Sequence, residues 1–502
     1  MTNPNHHVFA VITGGGTSGH VIPALAIAEL LQDSGYSLDQ LHYVGSTSGI
    51  ETSLVPPTKM AMSLLAVQGF SRQISLRSLR KNISTVKVLR NATKQAEELL
   101  KALQPRIVIS VGGYVSVPTA RAAKNLGIPT LTVSYDRQPG LATRQQARSA
   151  SAVAVAYLPS DLKKATLTGA PVRRVIRNLD IDATRSDART RLGLPQDRKV
   201  VCVTGGSLGS AALNAVARQF VESNQSREDI CLIHLTGQRY INDDQPEFEP
   251  GAKITYKRLE STVAMQDVYS ASDLVVARAG ASTVAEISTI GIASVLVPWA
   301  QAAEDHQTAN ANWLGELGGA IVIDEKAFST VEIAAQITAL IDDNAKISAL
   351  GLAARKAGAQ HRNTSLASLI IETAQQTKSH LDLASTKRIH VVGVGGPGMS
   401  AIATVLAEMG HIVSGSDVRQ SEIIDRLQQV GVQVNLGHKA SVVEGCDFVT
   451  GSPAIAASNI EYQHARTIKV AVETRAQTLA QICKRATSIG VAGTHGKTTT
   501  SS

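Results

Sequence analysis

Cysteine and aromatic residues are scarce in this chain: four cysteines, and 3% Phe, Trp and Tyr, among 502 residues. Cys202, Cys231, Cys446 and Cys483 stand apart with no C-x-x-C pair. That pattern argues against a disulfide framework or a zinc site and for a reducing cytoplasm. No run of 18 or more apolar residues occurs, so no transmembrane helix is expected. The opening MTNPNHHVFAVITGGG lacks the basic segment and cleavage site of a secretory signal. Aromatic residues are not interleaved with basic ones and no nucleic-acid module is present, so nucleic acid is not an expected partner.

Glycine, by contrast, is abundant at 39 residues, and apolar residues make up 43%. The length allows two to four domains, because single cores rarely grow past about 250–300 residues. Strand-like and helix-like segments alternate almost throughout, which predicts doubly wound parallel sheets. Three segments share one plan of apolar strand, glycine-rich turn and helix: residues 8–31, 200–220 and 388–410. They predict three Rossmann-like domains, with the polar stretch QTKSHLDLASTKR before the third read as a linker. The formal charge is +8. Part of it sits in Arg72, Arg77, Arg80, Lys81, Lys87, Arg90 and Lys94, a stretch free of acids. Leu76, Leu79, Ile83 and Val86 follow helical spacing there. The stretch is either an ordinary surface helix or a basic amphipathic patch for an anionic leaflet.

The first turn, Gly14 to Gly19, satisfies G-x-G-x-x-G, in which helix N–H groups can meet a phosphate. The next strand ends in Gly45-Ser46 rather than in an acid, which disfavours a dinucleotide. His20 follows the turn, where it either makes a structural hydrogen bond or acts on a substrate. A second turn spans Gly205 to Ser210. Later, Gly280-Ala281-Ser282-Thr283 leads into a helix bearing Glu286, a carboxylate placed to grip a ribose while amides hold a diphosphate. Asp305-His306-Gln307 and Asn310 offer donors and acceptors suited to a sugar. Two such domains facing each other across a cleft form the GT-B plan of nucleotide-sugar glycosyltransferases.

GGGTSGHVIPALAIAEL, SVGGYVSVPTARAAKNLGIP, TGAPVR, GGSLGSAALN, RAGASTVAEI and DHQTANA resemble the MurG family over residues 7 to about 375. The resemblance implies inverting transfer of N-acetylglucosamine from UDP-N-acetylglucosamine to the 4-hydroxyl of the muramoyl sugar of lipid I, without an obligatory metal. It also implies a peripheral position on the anionic inner face of the cytoplasmic membrane. Carried onto this chain, Thr17, Ser18 and Gly19 meet the diphosphate region, and Arg173 and Ser207 the donor phosphates. Gly280, Ala281, Ser282, Thr283 and Glu286 grip the nucleoside, His306 and Gln307 the N-acetylglucosamine, and Gly112, Gly113 and Tyr114 form an acceptor-side loop. His20 becomes the general base, since an imidazole suits proton abstraction near neutrality. Three positions depart from the family: Ser134 replaces its Glu, Asp136 its Asn in the donor contacts, and Ala170 the Asn of TGNPVR. The alternative reading follows from these: a crippled site that binds nucleotide sugar and couples wall-building steps by docking.

The third turn, Gly393 to Gly398, with Asp417 ending the next strand, reads alone as an NAD fingerprint. The sequel GVAGTHGKTTT is instead a shortened Walker-type loop. With IHVVGVGGPGMSAIATVLAEMGHIVSGSD, GHKA and GSPAIAASN it resembles the MurC family of UDP-N-acetylmuramate–L-alanine ligases over residues 387–502. The resemblance implies that Gly395, Gly398 and Asp417 serve UDP and that Gly493, Thr494, His495, Gly496, Lys497, Thr498 and Thr499 serve ATP, with Mg2+. On this reading the ligase lacks its later parts and is inactive in this chain, unless a separate polypeptide supplies them. The expected organisation is an α/β chain of five parts: 1–165 (acceptor side), 166–375 (donor side), 376–386 (linker), 387–486 (ligase N-terminal domain) and 487–502 (start of the ATP-binding domain).

Overall fold

Short apolar runs that end at glycine-rich turns form three all-parallel sheets in the computed structural model of the chain. The structure describes residues 8–67, 76–243, 245–299, 305–327, 329–375, 383–452, 454–456, 459–468 and 470–485, and over 76–87 the backbone alone. The ATP loop expected at 493–499, and Arg72 with most of the basic stretch's side chains, lie outside these. Contact density divides the chain into two units at Gln375/Gln376.

In the first unit, β1 (Ala10–Thr13), β2 (Leu41–Ser46), β3 (Ala61–Leu65), β4 (Ile107–Ser110), β5 (Thr130–Ser134), β6 (Ala152–Val155) and β7 (Ala165–Leu167) form a sheet ordered β3-β2-β1-β4-β5-β6-β7. Every residue of β1 and β4 is buried, as expected when helices cover both faces of a parallel sheet. β8 (Lys199–Thr204), β9 (Ile230–Leu235), β10 (Thr255–Leu259), β11 (Leu274–Ala277), β12 (Ala293–Leu296) and β13 (Ile321–Val322) form the second, ordered β10-β9-β8-β11-β12-β13. In each sheet the order reverses beside the strand that carries the glycine turn, β1 or β8. Such reversals open a crevice at the strands' carboxyl ends where ligands bind.

The helix Ser365–Gln375 returns from the donor half to pack on β4, β5 and β6, burying Leu366, Ala367 and Ile370. The helix Leu76–Leu103 turns Ala92, Ala96 and Leu100 into the core of the first half. Its C-terminal part is therefore an ordinary amphipathic cover.

The second unit is a smaller sheet of β14 (Arg388–Val392), β15 (Ile412–Asp417), β16 (Gln433–Leu436), β17 (Phe448–Gly451) and β18 (Ala471–Thr474), ordered β16-β15-β14-β17-β18.

Candidate active site

The first glycine turn passes from β1 into the helix Ser18–Asp33, whose N-cap Thr17 makes no side-chain cap. Thr17 Oγ1 instead sits 3.2 Å from His20 Nδ1. The imidazole lies over the Gly112–Gly113 turn, where a Cβ on Gly113 would come within 3.2 Å of Nε2. Gly112 and Gly113 have φ of +87° and +76°, and the absence of a side chain there leaves the ring its space. Tyr135 donates to the Gly19 carbonyl at 2.7 Å and meets the His20 ring edge-on. Burial lowers the His20 pKa, and the nearby charges of Asp136 and Glu51 pull it partly back. The imidazole is thus held neutral at physiological pH.

Sequence reasoning missed Glu51. Its carboxylate is fully buried and accepts from Gly16 N at 2.8 Å and Ser46 N at 2.6 Å. Gly45-Ser46 ends β2 without an acid because the space beyond is filled by this one. The signal in the sequence was a glycine pair, Gly45 and Gly49, just before an acid.

On the donor side, Ser210 caps the helix Ala211–Ser223 and is held by Arg278, whose Nη2 donates to its hydroxyl at 2.8 Å. Arg278 also reaches the Val297 and Pro298 carbonyls and pairs with Glu325 at 2.6 Å. One guanidinium thereby ties the second glycine turn to the loop ahead of Gln307. Gly280 begins the helix Ala281–Ile290 without a side-chain cap, so its first amides stay open to an anion. The Ser282 hydroxyl in that first turn is buried without a partner. Glu286 accepts from the buried Tyr269 hydroxyl at 2.8 Å. Burial raises its pKa to about 7, against opposing effects of that bond and of the Arg173 charge.

A cleft of about 950 Å³ runs between the two halves, and Ser18, Arg173, Ser207, Gly280, Thr283, Glu286 and Gln307 all line it. Ser18 and Ser207, from the two glycine turns, approach to 3.2 Å across it. Arg173 projects its Nε onto Glu29 at 2.7 Å. Gln307 accepts from Trp299 N at 3.0 Å, while His306 opens the helix His306–Glu316 outside the cleft lining. Asn310, read from the sequence as suited to a sugar, finds its partners within the protein. Fully buried, it donates to Asp136 Oδ1 at 3.1 Å and the Ala279 carbonyl at 3.2 Å, and accepts from Arg137 N at 2.8 Å. Its bonds to Asp136 and Arg137 N latch the halves, and that to Ala279 stays within the donor half. Asp136 belongs to that latch and does not line the cleft, and Ser134 is buried at the end of β5. Ala170 is buried too, its N–H donating to His361 Nδ1 at 2.9 Å.

In the second unit, Gly396 opens the helix Pro397–Glu408, with Pro397 at a position that needs no N–H. Asp417 Oδ2 accepts from Gly395 N at 2.8 Å and Oδ1 from Val418 N at 2.8 Å. The fingerprint acid thus lies against the glycine turn. A Cβ on Gly398 would come 2.7 Å from an Arg475 guanidinium nitrogen. Below, the buried Glu461 gathers Ser416 Oγ at 2.6 Å, His438 Nδ1 at 3.2 Å and Lys439 N at 3.2 Å.

Residues 10–155 match the glycosyltransferase family 28 N-terminal domain and residues 200–392 the family 28 C-terminal domain. A UDP-N-acetylglucosamine–N-acetylmuramyl-(pentapeptide) pyrophosphoryl-undecaprenol N-acetylglucosamine transferase of Leuconostoc citreum is 34% identical over 378 residues, covering 73% of this chain and 99% of the relative. Its counterpart in Desulforamulus reducens is 32% identical over 360 residues, 70% of this chain and 94% of that protein. The chain belongs to the MurG-type glycosyltransferases of family 28. A crystal structure of Acinetobacter baumannii MurG superposes with a TM-score of 0.54 at 25% identity, covering 73% of this chain and 99% of that one. The calicheamicin glycosyltransferase CalG4, at 13% identity and a TM-score of 0.51, shares the fold. Residues 388–487 match the Mur ligase family catalytic domain.

The MurG-type enzyme is a hexosyltransferase whose two glycine turns face one another across a single cleft, with a Mur ligase domain appended. Its residues sort into two places. Ser18, Arg173, Ser207, Gly280, Thr283, Glu286 and Gln307 share the cleft, whereas His20, Gly112, Gly113 and Tyr114 gather at the first turn, with Gly16 facing the Tyr114 ring.

Proposed function

We propose that the first unit transfers N-acetylglucosamine from UDP-N-acetylglucosamine to the 4-hydroxyl of the muramoyl sugar of lipid I, with inversion, giving lipid II. The observation that carries this reading is the 3.2 Å approach of Ser18 and Ser207, which brings the two glycine turns, each leading into a helix, to one point. The donor diphosphate lies between them, its ribose on Glu286 and its sugar toward Gln307. His20 donates its Nδ1–H to Thr17 and keeps the Nε2 lone pair, which takes the proton of the acceptor hydroxyl. That oxygen bonds to the sugar's anomeric carbon from the face opposite UDP, and the anomeric C–O bond to UDP breaks. Charge developing on UDP is met by helix amides and Arg173. These groups supply the stabilisation without an obligatory metal, so EDTA is expected to leave turnover intact. Asp136 does not repel the diphosphate in this scheme, because Asn310 holds it away from the cleft.

The reading also places the enzyme on the anionic cytoplasmic leaflet through the basic start of the helix Leu76–Leu103. Reversing Arg77, Arg80 and Lys81 to Glu is expected to abolish binding to anionic liposomes. For the second unit we propose that Gly395, Gly398 and Asp417 hold the UDP end of a muramate nucleotide. Joining L-alanine to it requires ATP and Mg2+ at the loop outside the described residues.

The transfer reading is tested with labelled UDP-N-acetylglucosamine and a short-chain lipid I analogue, using the full chain and His20→Ala. Turnover in the first and a loss of about 10²–10⁴-fold in the second, with UDP binding kept, is the expected result. Equal turnover in both would remove His20 as the base. UDP-N-acetylglucosamine binding without turnover in either would favour a docking role.

A further inference from the structure

Glu51 is a carboxylate held, among the described residues, by backbone donors alone. It is fully buried, and among the described residues no lysine, arginine or histidine pairs with it. An unpaired buried charge is costly, and such a group ordinarily survives only where backbone donors satisfy it. Here the donors are Gly16 N, inside the first glycine turn, and Ser46 N, at the end of β2. Room for the carboxylate is made by missing side chains. A Cβ on Gly15 or Gly49 would collide with it, and one on Gly45 would come within 2.7 Å of Glu51 Cγ. Three glycines thus face one acid, and one of them, Gly15, lies in the turn that leads directly to Thr17 and His20.

We propose that Glu51 is a positioning residue for the transfer reaction: its charge holds the first glycine turn in shape and, through that turn, sets the placement and protonation of His20. The part concerning protonation rests on the reading of His20 as the base. The groups facing His20 are Thr17 on its own turn, Glu51 beyond β2, Gly112 and Gly113 beyond β4, and Tyr135 and Asp136 beyond β5. Only Glu51 and Asp136 among them carry charge, and both favour the imidazolium. Asp136 is already tied to Asn310. Glu51 is therefore the charge whose position depends on the turn and on which the turn depends.

The test uses the full chain as wild type, Glu51→Gln and Gly49→Ala, with His20→Gln to assign the His20 signal. Gly49→Ala keeps the carboxylate but pushes it from its seat, so it carries the test alone if Glu51→Gln does not fold. Histidine NMR titration and steady-state kinetics are read on each. The expected result is a lower His20 midpoint in both variants and a kcat reduced about 10- to 100-fold, with UDP affinity retained. A merely structural brace would leave the His20 midpoint where it was. Unchanged midpoint and unchanged kcat in the variants would overturn the proposal. If His20→Gln keeps its kcat while the Glu51 and Gly49 variants lose theirs, the base reading falls and the positioning role stands.

Discussion

The hydroxyls of Ser18 and Ser207 lie 3.2 Å apart although 189 residues separate them in the chain. Each lies in the glycine turn that leaves the strand beside which its sheet reverses order, β1 or β8. The two turns touch through these hydroxyls. On the proposed reading a donor diphosphate takes the place of the Ser18 hydroxyl beside Ser207, exchanging a neutral hydrogen bond for one to charged oxygen. Ser207→Ala is therefore expected to weaken UDP binding by about 1.5–3 kcal/mol, the worth of a hydrogen bond to a charged group. Isothermal titration of UDP against the full chain reads this directly, and an unchanged affinity would place the diphosphate elsewhere.

If Glu286 grips the ribose as proposed, UDP binding should depend on pH. Its carboxyl, raised to about 7 by burial, is partly protonated at neutrality, and only the carboxylate accepts from both ribose hydroxyls. UDP affinity should rise between pH 6 and pH 8, and at pH 7 binding should release up to about half a proton. Calorimetry in buffers of different ionisation enthalpy measures the release. Glu286→Gln should abolish both effects.

Asn310 and Asp136 separate stability from chemistry. Asn310→Ala leaves the half-buried Asp136 and Arg137 N and the buried Ala279 carbonyl without their partner and should cost about 1–3 kcal/mol in denaturant unfolding. Asp136→Asn keeps an acceptor for Asn310 and should cost far less. It removes a charge that raises the His20 pKa, so the acid limb of kcat/KM should move to lower pH. A limb that stays put would show that Asp136 does not act on the base.

Two buried histidines set an acid limit on the first unit. Burial depresses His361 to about 3 and His234 to about 4, below the unfolded value. Both are neutral in the native state, so their contribution is complete above about pH 6.5 and is lost as pH falls towards those values. Between pH 6.5 and pH 5 each should cost about 2 kcal/mol. Urea midpoints at pH 7 and pH 5 should show the drop, and His361→Gln should remove its share.

The three strand–turn–helix openings were legible because glycine turns after apolar runs signal their own geometry. The Ser207 and Gly280 regions were legible for the same reason. Asn310 was not: its sequence neighbours His306 and Gln307 suggested a sugar contact, while its real partners lie about 30 and 174 residues away. Glu51 stayed hidden because no short motif joins it to a turn 35 residues earlier. Departure from the family pattern at Asp136 was visible, but the direction its carboxylate faces is decided by Asn310 packing from the other half.

The chain crosses between the halves twice, once near Gly169–Ala170 and once as it returns near Gln360–His361, and the two crossings touch. Ala170 N donates to His361, and the Gly169 backbone, at φ +77°, lies so close to the Gln360 carbonyl that a side chain there would collide with it. Tyr157 and Trp313, one from each half, close around the same histidine. Two backbone segments packed this closely join the halves as a fixed seam rather than as a slack tether. A methyl group added at Gly169 would meet the Gln360 carbonyl head-on, so the crossing tolerates no side chain at that point and Gly169→Ala should loosen the junction between the halves.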